Sequence, residues 1–214
     1  KVIDFFAKNG IAAELTAKTS MELERQIMAW VGKRGGQISK NNAAKIIEYA
    51  GTELSLLKNE VEKLCAYSNG AEITLPMIDS LVTKNLHAKI FALSDSVLCR
   101  NSNQAFSQLN ALFYQREDPI AIVNVLGSAF VDVYRVRVAG ESGVQNRQLA
   151  EDFQYKNRAF VLDKAAKNSR TISTAALREG LTAILNTEAA LKSTQCDAKL
   201  MVEKLLAQLL LIFK

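Results

Sequence analysis

The chain has 214 residues, of which 49% are hydrophobic and 23% are charged, and its formal net charge is +5. This balance is typical of a globular protein and argues against a disordered, collagen-like or membrane protein. Only 2 prolines and 10 glycines occur, so few residues interrupt helices, and a β-sandwich rich in tight turns is disfavoured. Composition therefore favours an all-α protein, and it gives no function.

The first part of the chain predicts a bundle of three helices. Thr19 to Glu22 fit a capping box, in which the Thr hydroxyl and the Glu carboxylate accept from free backbone amides at the helix start. Ser39 is positioned to cap a second helix that stops at Gly51, and a third helix opens near Thr52. Each helix carries apolar residues at helical spacing along one face, so the three can share one core.

A second, larger helical unit is expected to follow. A short helix capped by Thr74, with Pro76 in its first turn, ends the first unit, and the helical pattern relaxes near 84–88. Residues 1–18 have no place in the first bundle. The sequence shows no alternating strand pattern longer than three or four residues. The helices predicted for the second unit span 90–98, 105–114, 120–138, 146–153, 157–168, 173–192 and 197–213.

No group of residues in the sequence points to catalysis or to a metal. The single histidine, His87, lies between the two units and has no Cys or His partner at metal-ligating spacing. The only Gly-Lys pair, Gly32-Lys33, lacks the first glycine of a phosphate-binding loop. Neighbouring carboxylates such as Glu60 and Glu62 lie on different helix faces. We therefore expect no catalytic, cofactor-binding or metal-binding residues.

The cysteines and the chain start bear on the cellular compartment. Cys65, Cys99 and Cys196 are far apart and lie in apolar helical surroundings. An odd number of cysteines without CxxC spacing is typical of buried, reduced thiols. No signal peptide opens the sequence, and no apolar run approaches the roughly 20 residues of a membrane span. We expect a cytoplasmic protein that does not associate with a membrane.

A surplus of basic residues falls within 135–170, where eight basic side chains meet four acidic ones. Such a stretch can attract a polyanion, and its arginines are the candidate contacts: Arg135, Arg137, Arg147 and Arg158. Basic and acidic residues are interleaved here, so ordinary solvated helix faces explain the same pattern. Both interpretations stay open at this point.

The order of several motifs resembles the delta subunit family of the bacterial DNA polymerase III clamp loader. The most specific block is Gly51-Thr52-Glu53-Leu54 followed by Asn59-Glu60-Val61-Glu62-Lys63-Leu64, with the Ile-Thr pair of 73–74 behind it. The other matching segments run in the same order over nearly the whole chain. They are Met21-Glu22-Leu23, Gly36-Gln37-Ile38-Ser39, Ile90-Phe91-Ala92-Leu93-Ser94-Asp95-Ser96-Val97, Glu117-Asp118-Pro119-Ile120 and Ala189-Ala190-Leu191-Lys192-Ser193.

The resemblance implies a truncated clamp-loader subunit. Residues 1–18 would be the tail of a missing N-terminal AAA+-like domain, 19–85 a small helical lid domain, and 88–214 a helical collar domain through which subunits oligomerise. It implies a non-catalytic subunit of the DNA-directed DNA polymerase (nucleotidyltransferase) holoenzyme, acting in DNA replication without a cofactor. The implied partners are the ATPase subunits (gamma or tau), delta-prime and, in the assembled complex, primed DNA. The sliding clamp would be reached through the missing domain.

Two functions remain open on the sequence. In the first, the chain serves subunit assembly, and the excess leucines of the helix 197–213 contact a neighbour, because that helix is apolar on more than one face. The candidate interface residues are Leu205, Leu209, Leu210 and Phe213. In the second, a free-standing helical module binds nucleic acid through the basic stretch 135–170. The segment 119–138 is also apolar on more than one side, and there a central helix of its own domain is the favoured explanation.

Overall fold

The computed structural model describes residues 18–155, 159–193 and 196–214, together with Phe5 and Gly10. Within these residues the chain forms eleven α-helices and one two-stranded sheet. The all-α fold class predicted from the sequence is confirmed. Most of the segment 1–18, predicted to be the tail of another domain, lies outside the described residues.

Two of the four helices of the first half begin at side-chain caps that the sequence predicts. The Glu22 amide donates to the Thr19 hydroxyl, and the Thr19 amide donates to the Glu22 carboxylate, which confirms the capping box. Ser39 caps the second helix as predicted, whereas the Thr74 side chain makes no capping hydrogen bond. The four helices are α1 (Ser20–Lys33), α2 (Lys40–Ala50), α3 (Leu54–Ser68) and α4 (Leu75–Leu81).

A short parallel sheet ties the loops of this half together. Strand β1 (Gln37–Ile38) pairs with β2 (Glu72–Ile73), so that Ile38 lies opposite Ile73. The Asn42 side-chain amide donates to the Ile73 carbonyl oxygen at 2.9 Å. Neither strand is predicted from the sequence, because two residues are too few to show an alternating pattern. Both isoleucines lie in the first hydrophobic core, whose largest members include Leu23, Ile27, Ile46, Leu57, Leu64 and Ile78.

The second half surrounds one long central helix. Its helices are α5 (Leu86–Leu98), α6 (Ser102–Tyr114), α7 (Pro119–Glu141), α8 (Asn146–Asp152), α9 (Phe160–Ser169), α10 (Thr174–Ser193) and α11 (Ala198–Ile212). Helix α7 packs against α5, α8, α9, α10 and α11. It begins at Asp118, whose carboxylate accepts from the amides of Ile120 and Ala121. The second hydrophobic core forms around it and is separate from the first.

Helix α7 is long and apolar enough to cross a membrane by length and composition. Its apolar side chains instead face neighbouring helices, and those of Ile122, Val123, Leu126 and Phe130 are almost completely buried in the second core. A core helix passes the same length and composition test. The sequence interpretation of this segment as a central helix of its own domain is confirmed.

The cysteines correct one expectation. All three are free thiols, but only Cys65 is partly buried, while Cys99 and Cys196 are exposed. Cys99 is the residue at which α5 ends, and Cys196 lies just before α11. Residues next to helix ends leave the apolar face of the helix, so the prediction of buried thiols is wrong for these two.

Candidate assembly surface

The structure corrects the expectation for three of the four predicted interface residues. Leu205, Leu209 and Phe213 are 1%, 0% and 2% exposed, so they belong to the core of the chain itself. The Phe213 ring stacks on the ring of Phe130, with 5.4 Å between the ring centroids. A side chain enclosed in this way is not available to a partner. Leu210 is partly buried against the same core and stays a predicted interface residue.

The exposed side of α11 carries different leucines. Leu200 is 63% exposed and Leu211 is 68% exposed. They are eleven residues apart, which is close to three helical turns, so they lie on the same face of the helix. Lys204 and Gln208 are exposed between them. The sequence does not distinguish these leucines from the buried ones, because an apolar run alone does not show which side of the helix faces the core.

A second surface feature is a groove between α7 and α10. The two helices approach closely at Gly127, where an added Cβ atom would lie 3.2 Å from a methyl group of Ile184. The groove has a volume of about 710 Å³. Its apolar lining includes Leu185, which is 63% exposed, and Phe153, which is 50% exposed. Large exposed apolar residues that border one groove are a feature of protein–protein contact sites.

The loop after α8 closes one end of the groove through a polar cluster. The Tyr155 hydroxyl donates to the carboxylate of Asp132, which is buried, and accepts from Arg135 Nη1 at 2.9 Å. The Arg135 guanidinium also lies 4.2 Å from the centroid of the Phe153 ring. Burial, and then the hydrogen bond to Asp132, raise the pKa of Tyr155, so the hydroxyl keeps its proton and fixes the loop on α7. Gln154 turns the loop with a positive φ of 54°.

The predicted polyanion contacts have partners within the chain. Arg135 lies 3.9 Å from Asp132, Arg137 Nε lies 2.9 Å from Glu141, and Arg147 Nε lies 3.5 Å from Glu151. These pairs are three or four residues apart on one helix. Arg147 is the most accessible of the three, with its side chain 90% exposed. Arg158 lies outside the described residues. The pairing agrees with solvated helix faces, the plainer of the two sequence interpretations.

Nothing in the described part of the chain resembles a metal centre. No group of three or more His, Cys, Asp or Glu residues there is arranged to hold an ion. His87 lies in the first turn of α5, beside a cleft lined by residues of both halves. The apolar groove and the exposed side of α11 are two candidate contact surfaces of the second half.

Comparison with known proteins identifies the second half. Residues 87–209 match the sequence profile of the family described as "DNA polymerase III delta subunit, C-terminal domain". The chain belongs to this family. The resemblance to the delta subunit seen in the sequence motifs is confirmed, and the matched residues include nearly all of α5 to α11.

Two relatives of the delta family cover almost the whole chain. DNA polymerase III subunit delta of Bacillus subtilis (strain 168) is 26% identical over 200 residues, which is 93% of this chain and 56% of the relative. The solved structure of the Bacillus subtilis DNA clamp loader delta protein superposes with a TM-score of 0.74 at 22% identity. That superposition covers 97% of this chain and 61% of the other, so both halves share its fold. The chain thus spans between half and two thirds of the length of these delta proteins.

Proposed function

We propose that this chain is a non-catalytic clamp-loader subunit of DNA polymerase III, acting in DNA replication, and that α5 to α11 join it to neighbouring subunits. The observation that carries the proposal is the match of 87–209 to the C-terminal domain of the delta family. In this proposal residues 19–85 are a lid domain and 88–214 are a collar domain. The two separate hydrophobic cores support that division.

The same proposal assigns the partners. The neighbours are the ATPase subunits (gamma or tau) and delta-prime, which bind the collar domain, and primed DNA is met by the assembled complex in the bacterial cytoplasm. Residues 1–18 would end an AAA+-like domain that contacts the sliding clamp. The chain itself would hold the neighbouring subunits in place, and the ATPase subunits would hydrolyse ATP.

The exposed side of α11 and the groove between α7 and α10 are the surfaces that we assign to assembly. Leu185, Leu211 and Phe153 are each at least half exposed. Moving a large apolar side chain from water into a contact gains about 1.5–3 kcal/mol. A few such anchors in the middle of a contact carry most of the binding free energy of an interface.

Nucleic-acid binding by the isolated chain is the second candidate, and it rests on the basic stretch 135–170. The described arginines there already pair with Asp132, Glu141 and Glu151, and these pairs reduce the positive potential available to a phosphate backbone. A DNA titration at two salt concentrations tests this candidate. If the arginines contact phosphates, the logarithm of affinity falls linearly with the logarithm of salt concentration.

The assembly proposal is tested by size-exclusion chromatography with light scattering. The chain is mixed with the ATPase and delta-prime subunits of the same organism, and co-elution at the mass of a mixed complex supports the proposal. Leu211→Glu and Leu185→Glu place a charge on each assigned surface. Leu54→Glu is the matched control, because Leu54 is also an exposed leucine, at 42%, but lies in the first half.

The variants separate assembly from folding. We expect Leu211→Glu or Leu185→Glu to need at least a tenfold higher protein concentration for co-elution, because a carboxylate would be desolvated at the contact. The circular dichroism spectrum should stay unchanged. Leu54→Glu should co-elute like the unmodified chain. Leu209→Glu is unsuitable, since that residue is fully buried and its replacement would unfold α11. Separate elution of the unmodified, folded chain would overturn the assembly role.

A further inference from the structure

A polar seam joins the two halves of the chain, and an ion pair lies at its centre. The Lys164 ammonium on α9 contacts the carboxylate of Glu48 on α2, across 116 positions of sequence. Lys45, one turn earlier on α2, also contacts Glu48 at 3.2 Å. Both members of the pair are partly shielded, with side chains 33% and 19% exposed. A shielded pair is less screened by salt than one on the open surface.

About one turn after Lys164, another polar contact fixes α9 to α5. The Asn168 side-chain amide donates to the Asp95 carboxylate on α5 at 2.6 Å. Burial raises the pKa of Asp95, and the positive charge of Lys164 acts in the opposite direction. The charge of Lys164 thus acts on a carboxylate of each half, Glu48 and Asp95. The position of α9 on α5 determines where Lys164 meets the first half.

The backbone connection between the halves is short and is hydrogen-bonded to the first half at two residues at least, Thr83, whose amide donates to the Glu60 carboxylate at 3.3 Å, and Asn85. Helix α4 ends at Leu81 and α5 begins at Leu86. The Asn85 amide donates to the Tyr49 carbonyl oxygen at 2.8 Å, and the Asn85 side chain caps α5 by accepting from the Ala88 amide. Gly51 has a φ of +92°, and a Cβ atom there would lie 3.0 Å from the Asn85 side chain. The connection therefore packs against the end of α2.

Open space flanks the ion pair on both sides. A cleft of about 410 Å³ lies between α1, α2 and Phe160, and another of about 390 Å³ lies between the end of α2, the start of α5 and the same phenylalanine. Phe160 itself is 38% exposed. The two hydrophobic cores do not merge at this seam. Domains that meet through a small, polar contact move relative to one another unless specific contacts hold them.

We propose that the Glu48–Lys164 pair is a latch that sets the angle between the two halves, with residues 82–85 as the hinge. While the pair is formed, α2 is held against α9 and both clefts keep their present width. When it is broken, the backbone connection and the contact of α2 with α5 restrain the first half less tightly, and the angle varies. The inference concerns contacts within the chain and does not depend on the assembly proposal.

Distance measurements between spin labels on the two halves test the latch. Labels are placed at Lys58→Cys on α3 and Glu179→Cys on α10, both exposed positions, in a chain whose three natural cysteines are replaced by serine. The test variants are Lys164→Met, which keeps most of the apolar stem, and Glu48→Gln. The matched control is Lys89→Met, which breaks the Lys89–Glu117 pair inside the second half, where the nitrogen–oxygen distance is 2.9 Å and both side chains are 26% exposed.

The latch predicts a broader distance distribution with a shifted mean in Lys164→Met and in Glu48→Gln, and an unchanged one in Lys89→Met. Unchanged distributions in both test variants would overturn the proposal, as would equal broadening in Lys89→Met. Should Lys164→Met fail to fold by circular dichroism, Glu48→Gln decides the matter alone in the same way.

Discussion

Helix α10 has a glycine where it meets the C-terminal end of α11. This close contact predicts whether a larger residue at that position stabilises or destabilises the chain. A Cβ atom added at Gly180 would lie 2.8 Å from Cζ of Phe213 and 3.3 Å from a methyl group of Leu209. The Phe213 ring cannot easily withdraw, because it stacks on Phe130 and both rings are almost completely buried. Gly180→Ala therefore forces an overpacked contact between α10 and α11.

Two opposing effects set the magnitude of the Gly180→Ala change. Alanine is better than glycine in a helix interior by about 1 kcal/mol. Overpacking a well-filled core costs about 1–3 kcal/mol. We expect Gly180→Ala to destabilise the chain by up to about 2 kcal/mol. In a Phe213→Leu background the ring is gone, the helix preference dominates, and the same change should stabilise by about 0.5–1 kcal/mol.

Urea denaturation of the four proteins of this cycle measures the coupling between Gly180 and Phe213. Circular dichroism follows the helices, and the fluorescence of Trp30, the single tryptophan, reports on the first half. In a chain of this size each kcal/mol also corresponds to about 2–4 °C in Tm. The midpoint seen by Trp30 should not move. Stabilisation by Gly180→Ala in the unmodified chain, or the same change in both backgrounds, would refute the reasoning.

Two further predictions concern partly buried polar groups. Tyr155→Phe removes the hydroxyl that bridges Asp132 and Arg135. The free energy of unfolding, measured by urea denaturation, should fall by about 1–3 kcal/mol, because a buried carboxylate loses a donor. A change within about 0.3 kcal/mol of zero would show that the loop is fixed in another way. Burial raises the pKa of Asp95 above its ordinary value of about 4, so the stability this group contributes is lost as pH rises through the raised pKa. As pH rises from 4 to 7, the free energy of unfolding of Asp95→Asn should therefore increase relative to that of the unmodified chain. A difference that stays constant over this range would contradict the expected titration of Asp95.

Most helices could be predicted from the sequence because their signals are local. The capping box at Thr19 and the Ser39 cap need only three or four consecutive residues, and both are present in the structure. The third helix was expected to open near Thr52 and begins at Leu54, within the uncertainty of any helix end. The strands at 37–38 and 72–73 depend on a pairing between distant segments, which no local pattern contains.

The candidate site could be predicted only in part. The sequence placed the excess leucines on the last helix, but whether a residue faces the core depends on where α7 and α10 lie in three dimensions. Phe213 at the chain end was expected on the surface, and its burial follows from the ring of Phe130 and the space above Gly180. The Glu48–Lys164 pair could not be predicted from the sequence for the same reason, since its members are 116 residues apart.

The division of α11 into two faces is what makes an assembly role testable on this chain. The inner leucines, Leu205 and Leu209, are buried in the core and cannot contact a partner, because each is at most 1% exposed. The outer ones, Leu200 and Leu211, contribute little to folding and lie about 16 Å apart along the helix. That length is enough for a neighbouring helix to contact both. A variant of Leu211 therefore probes association alone, whereas a variant of Leu209 would confuse association with folding.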